Sequence, residues 1–133
     1  WQGRHPDHYT ASVLGYEACF AAGLKKLSID SLPPHRPFKI IYASLYYDVR
    51  PSFVVDISEQ FEARFQSLMA YKSQFSDQES GKDIFPAQAE IRERVESMAR
   101  FYGMLGGVTY AEPYIQKEVG LVENLLEIPV KSI

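Results

Sequence analysis

The sequence predicts an α/β fold whose sheet is incomplete. Two runs rich in β-branched and aromatic residues, Phe38–Leu45 and Phe53–Ile57, read as strands, and Val108–Tyr114 reads as a further short extended segment. Three long stretches, opening near Asp7, Ser58 and Ala87, carry apolar residues at helical spacing. Strands and helices roughly alternate around the sheet of an α/β protein, and a two-stranded sheet is poorly stable alone. So few strands beside three long helices imply missing strands, and their expected place is before Trp1.

The elements follow in order. Residues 1–6 read as a loop, and Asp7 as the N-cap of a helix from His8 to Leu27. Its apolar residues Ala11, Leu14, Ala18, Ala21, Ala22 and Leu24 keep helical spacing, and its alanines favour helix and close packing. Gly23 and the lysines after Leu24 mark its end. Ser28–Pro37 holds three prolines and cannot be regular for long. After the Phe38–Leu45 strand, Tyr46–Ser52 is a connection. The short apolar run Phe53–Ile57 reads as a buried strand, with neighbours on both sides.

Asp56 and Glu59, at capping-box spacing, then open a helix with the stripe Phe61, Phe65, Leu68, Met69 and Lys72, running to about Gln74. Residues 76–86 are polar and turn-rich. The third helix runs from about Ala87 to Leu105, with the stripe Ile91, Val95, Met98, Phe101 or Tyr102, and Leu105 opposite a charged face. Gly106-Gly107 stops it, and Pro113 closes the extended segment that follows. Leu121, Val122, Leu125, Leu126 and Ile128 suggest a last short helix at a packing or subunit contact.

Composition narrows the function classes. A chain of 133 residues is one domain or part of one, long enough to bury a core. The net charge of −3 argues against a nucleic-acid partner, which needs a concentrated basic face. Lys25-Lys26 falls where the first helix should end and offsets the helix dipole there. The single cysteine, Cys19, excludes an intrachain disulfide and fits a reducing, cytoplasmic compartment. In its apolar helical setting it reads as a buried, inert thiol. No apolar run approaches the roughly 20 residues needed to span a bilayer, so no membrane partner is expected.

Chemistry concentrates at the start. His5 and His8 flank Pro6-Asp7, so two of the three histidines sit three residues apart with a carboxylate between them. Imidazole is the commonest protein metal ligand, and carboxylates bind the same ions. Asp7 is near enough to accept a hydrogen bond from His5, which would fix its tautomer and raise its basicity. Against this, histidines near a helix start commonly serve only as polar surface residues. A catalytic zinc typically takes three protein ligands, and His35, in a proline-rich loop, reads as structural.

Arg4-His5-Pro6-Asp7-His8, followed by a helix rich in Ala, Phe and Gly and then by His35-Arg36-Pro37, resembles the second half of the PIG-L/LmbE-like zinc deacetylases. Pro51–Ser58, Ala70–Phe75 and Gly107–Pro113 are similar to later segments, the last two to the bacillithiol-biosynthesis branch, which removes acetate from N-acetylglucosaminyl malate. The resemblance runs in order from Trp1 to about Tyr114. It implies a Rossmann-like three-layer α/β/α fold with one zinc per site and a small-molecule N-acetylglucosaminyl substrate, in a family whose members often form homo-oligomers. His8 would be a zinc ligand, His5 the oxyanion donor and proton source for the leaving amine, Asp7 the residue that orients His5, and Arg36 a substrate contact.

The family's other signature, His-Pro-Asp-Asp, supplies two more zinc ligands and the general base, and has no counterpart here. The expectation is therefore a single partial domain over residues 1–133, the C-terminal portion of such an enzyme, inactive alone. The alternative from another class is a non-catalytic α/β binding or assembly remnant with an idle His-Pro-Asp-His motif.

Overall fold

The computed structural model describes residues 5–27, 30–43, 50–75 and 87–130. The expected loop at 1–4, the end of the first expected strand with the connection at 44–49, and the turn-rich stretch 76–86 lie outside the described residues. The fold is mixed α/β. Its elements are α1 (Pro6–Ala22), β1 (Tyr42–Ala43), β2 (Phe53–Asp56), α2 (Phe61–Met69), α3 (Lys72–Phe75), α4 (Gln88–Gly106), β3 (Ala111–Ile115) and a 3-10 turn at Leu125–Glu127. The strands form one sheet in the order β1-β3-β2. The chain divides into two compact units, Trp1–Phe53 with Pro113–Leu121 and Val54–Glu112 with Val122–Ile133.

In the first unit β1 pairs antiparallel with β3, Tyr42 opposite Ile115 and Ala43 opposite Tyr114. The strand expected over Phe38–Leu45 is reduced, among the described residues, to Tyr42-Ala43, which meet a partner strand, and Phe38 is 96% exposed. Ser52 binds the end of β3 through its backbone N–H to the Tyr114 carbonyl (2.8 Å), and its hydroxyl accepts the Gln116 N–H (3.1 Å). Phe53 stacks on Tyr114. Pro113 does not close β3. Its fixed φ is compatible with an extended chain and it lacks only a donor, so the strand continues to Ile115.

The helix α1 starts earlier than Asp7 predicts. Pro6 occupies the first turn, where its missing N–H costs nothing, and His5 is the N-cap. The helix stops at Gly23, short of Leu27. A Cβ at Gly23 would run into the Arg36 guanidinium, so glycine makes room for that side chain. Apolar residues lie all round α1, and none of its residues is buried within this chain. Cys19 is half-buried, not enclosed as its neighbours suggest.

The second unit holds the core cluster Ile57, Phe61 and Ala99, with Val95 and Tyr110 packed against it. The Phe61 and Tyr110 rings stack with centroids 4.2 Å apart. Asp56 does open the next turn, but as an Asx-turn: its Oδ1 accepts the Ser58 N–H (2.9 Å) and hydroxyl (2.6 Å). No capping box forms, and α2 begins at Phe61 with Gln60 as N-cap. The expected single helix to Gln74 breaks at Ala70-Tyr71 into α2 and α3. The run Phe53–Ile57 is less buried than its composition suggests, because β2 stands last in the strand order and leaves Val55 and Asp56 exposed.

The end of α4 follows the Gly106-Gly107 signal, with Gly107 in the left-handed region (φ 71°). Its buried face is Ile91, Ala99, Tyr102 and Gly103, with Val95 half-buried. Met98 and Leu105, expected inside, are exposed, and of the alternatives Phe101 and Tyr102 it is Tyr102 that is buried. Successive steps of three and four residues place 91, 95, 99, 102 and 106 together, and of the expected stripe Met98 and Leu105 fall off that line. Gly103 lets the 108–109 backbone approach: a Cβ there would sit 2.6 Å from the Thr109 carbonyl oxygen. The tail forms a 3-10 turn, not an α-helix, with Leu125 and Leu126 exposed. No helix among the described residues is long and apolar enough to cross a membrane.

Candidate active site

The first turn of α1 brings His5, Asp7 and His8 together. The β/extended backbone of His5 leaves its side chain able to curl over the helix start, where N–H groups lack intrahelical partners. Its Nδ1 accepts the backbone N–H of Asp7 at 3.2 Å. Its carbonyl accepts the N–H groups of His8 (3.1 Å) and Tyr9 (3.2 Å). The His5 and His8 rings lie 5.7 Å apart between centroids, tilted by 48°. All three side chains are exposed and so accessible to a ligand.

The orienting contact on His5 differs from the expected one. The Asp7 carboxylate stands 3.6 Å from Nδ1, an ion-pair separation that becomes attractive if the ring is protonated. The hydrogen bond is made by the Asp7 main chain instead. An Nδ1 that accepts an N–H carries no proton of its own in the neutral ring, so the proton of neutral His5 resides on Nε2. That nitrogen is then a donor.

Arg36 is not part of this cluster. Its Nη2 donates to the Phe20 carbonyl at 3.3 Å, and its guanidinium lies 5.0 Å from the Phe20 ring centroid. The backbone N–H of His35 donates to the Ala22 carbonyl (2.9 Å). Both residues thus satisfy carbonyls at the C-terminal end of α1. A rise of 1.5 Å per residue separates Phe20 from His5 by roughly 22 Å along the helix.

Among the described residues no three His, Cys, Asp or Glu side chains gather where they could hold one ion. The described residues therefore do not by themselves make a three-ligand zinc site. His8 fits the chemistry of a single ligand, being an exposed imidazole on a fixed helical turn.

A polar network in the second unit was not legible as one. The Tyr110 hydroxyl donates to Glu96 Oε1 (2.8 Å), Arg100 donates to the same carboxylate and to the Tyr110 hydroxyl, and its guanidinium lies over the Tyr110 ring. The Tyr110 hydrogen bond, then Arg100, holds the Glu96 carboxyl below its ordinary range, and Glu96 in turn pushes the Tyr110 phenol up. Glu62 is lowered by Arg92, whose guanidinium also lies over Phe65. Glu112 pairs with Arg64. Tyr110 is thus a packing and hydrogen-bonding residue. In sequence, the only trace of this network was the i, i+4 spacing of Glu96 and Arg100.

No family model matches the sequence. The diacetylchitobiose deacetylase of Thermococcus kodakarensis is 34% identical over 113 residues, covering 81% of this chain and 38% of that protein. Among solved structures, the chain is similar to the conserved protein TT1542 from Thermus thermophilus, with a TM-score of 0.75 and 31% identity over 91% of this chain and 50% of that one. The chain therefore spans 38% of the length of the first relative and half of the second.

Proposed function

We propose that this chain, whose fold is that of the PIG-L/LmbE-like deacetylases, is the part of a zinc-dependent N-acetyl-sugar deacetylase that carries the His-Pro-Asp-His half of its active site. One observation carries the reading: the exposed His5–Asp7–His8 turn stands at the start of α1 in a chain similar over 81% of its length to a diacetylchitobiose deacetylase. The proposed whole is a single domain with a Rossmann-like three-layer architecture. The proposed substrate is a small N-acetylglucosaminyl conjugate, with N-acetylglucosaminyl malate as the specific candidate, acted on by a cytoplasmic homo-oligomer.

His8 is assigned as one zinc ligand, with the remaining ligands and the general base supplied from outside the described residues. Bound zinc would supply a water acidic enough to attack an acetamide carbonyl near neutral pH. The remaining steps fall to this chain's own side chains. The Asp7 N–H holds His5 with its proton on Nε2. From there His5 donates a hydrogen bond to the carbonyl oxygen as negative charge develops on it; with the ring protonated on both nitrogens, the imidazolium gives its Nε2 proton to the departing amine and becomes a neutral ring. Asp7 keeps its carboxylate beside the ring, where it steadies the imidazolium whenever His5 is protonated. Arg36, at the other end of α1, anchors the proline-rich segment in this scheme.

Acetate release from N-acetylglucosaminyl malate and from diacetylchitobiose, with zinc, tests the reading on the parent polypeptide and on the 133-residue chain. The expected result is zinc-dependent release by the parent and none by the chain alone. A zinc-loaded parent that cleaves neither substrate overturns it. The second reading, an α/β assembly module with an idle motif, is favoured by one observation: α1 carries apolar residues on all its sides yet buries none of them in this chain. That surface suits protein contact.

A further inference from the structure

Burial holds α1 to its unit only in part: none of its residues is fully buried, and Ser12, Cys19 and Ala21 are half-buried. At its C-terminal end Arg36 and the His35 N–H bind the Phe20 and Ala22 carbonyls. In mid-helix a second attachment comes from far along the chain. The Lys117 ammonium lies 3.9 Å from the Tyr16 ring centroid and 5.3 Å from that of Tyr42. Tyr16 belongs to α1 and Tyr42 to β1. Lys117 is itself placed by its neighbours: Ile115 is paired with Tyr42, and Gln116 is tied to Ser52 by its N–H and carbonyl. A cation against two aromatic faces thus joins the helix to the β1–β3 pair.

We propose that Lys117 is a positioning residue: by lying between Tyr16 and Tyr42 it sets where α1, and with it the His5–His8 turn, sits over the β1–β3 pair. His8 is eight residues from Tyr16, about 12 Å of helix. With the C-terminal attachment alone, α1 is a lever fixed at one end, and the catalytic turn is the end that swings. The consequence for catalysis rests on the deacetylase reading. The attachment itself does not.

Amide hydrogen exchange on the 133-residue chain tests the attachment. In Lys117→Met, which keeps the apolar stem and removes the charge, exchange within 6–22 should rise roughly two- to fivefold, the worth of an exposed cation–π contact, with α4 unchanged. Lys117→Arg should restore protection, because a guanidinium also stacks on tyrosine. Unchanged exchange in Lys117→Met, equal acceleration in α4, or failure of arginine to rescue overturns the proposal. If exchange responds selectively, turnover of the parent enzyme decides its relevance: Lys117→Met should lower kcat more than it raises KM, and arginine should recover it. A zinc-loaded parent that cleaves neither N-acetylglucosaminyl malate nor diacetylchitobiose would sink the deacetylase reading while leaving the exchange result to judge Lys117.

Discussion

The backbone N–H of Asp7 donates to Nδ1 of His5 at 3.2 Å, while the Asp7 carboxylate stands 3.6 Å from the same nitrogen. His5 thereby does two jobs: it caps α1 through Nδ1, and in its neutral form it keeps a donor proton on Nε2. These jobs can be separated by substitution. His5→Asn retains a side-chain acceptor and should keep the cap, leaving Tm near the wild type. His5→Ala should lose about 0.5–1 kcal/mol, the low end for an exposed N-cap. Both should lower turnover of the parent enzyme by roughly 10² or more, as expected for a lost oxyanion donor or general acid. Thermal melts and steady-state kinetics on the pair check this, and near wild-type turnover in either variant would remove His5 from the chemistry.

His8→Ala should strip the parent enzyme of most of its zinc. The imidazole is exposed and its backbone N–H is held by the His5 carbonyl, so the substitution removes the proposed ligand without disturbing the helix start. Metal analysis after gel filtration, alongside helix content by circular dichroism, reads both halves. Stoichiometric zinc would refute the ligand assignment.

Two glycines should respond in opposite directions to alanine. At Gly103 a Cβ would meet the backbone of Val108 and Thr109 at 2.6–2.8 Å, and neither can yield without moving the chain that leads into β3. Gly103→Ala should cost about 1–3 kcal/mol or more, the usual range for overpacking. At Gly15 nothing lies within 4 Å, so Gly15→Ala should stabilise α1 by roughly 0.5–1 kcal/mol through helix propensity. Denaturant unfolding of both variants measures the contrast.

Acid should destabilise the second unit. Glu96, Glu62 and Asp56 have carboxyls held below their ordinary range by Tyr110 with Arg100, by Arg92, and by Ser58. A carboxyl lowered in the folded state contributes stability above its unfolded value, about 4, and loses it as pH falls through the lower folded value. Tyr110 is raised, so its contribution is complete below its unfolded value, about 10, and is lost as pH rises past the folded one. Tyr110→Phe should flatten both limbs of a Tm-against-pH curve. An unaltered acid limb would show that the Tyr110–Glu96 bond does not govern that titration.

Local signals were legible where the chain decides its own geometry. The Ala87 start and Gly107 stop of α4 and the glycine end of α1 follow from short-range sterics. The signals misled where a partner decides. Phe38–Ile41 have strand composition, but among the described residues of that run Tyr42-Ala43 alone meet β3. Pro113 looked like a terminator, yet an extended chain accommodates it. The inward face of α4 turned on Ala99 and Gly103, small residues that hydrophobic spacing undervalues and close packing needs.

The sequence by itself determined the α/β class, the place of the long helices and the clustering of His5, Asp7 and His8, because these rest on composition and on spacing within one turn. Only the tertiary structure decided which atom of Asp7 holds His5, that Arg36 serves the far end of α1, and that Lys117 lies between Tyr16 and Tyr42. Each of these depends on the direction of a side chain or on groups brought together across long stretches of chain. Residue spacing carries no information about either.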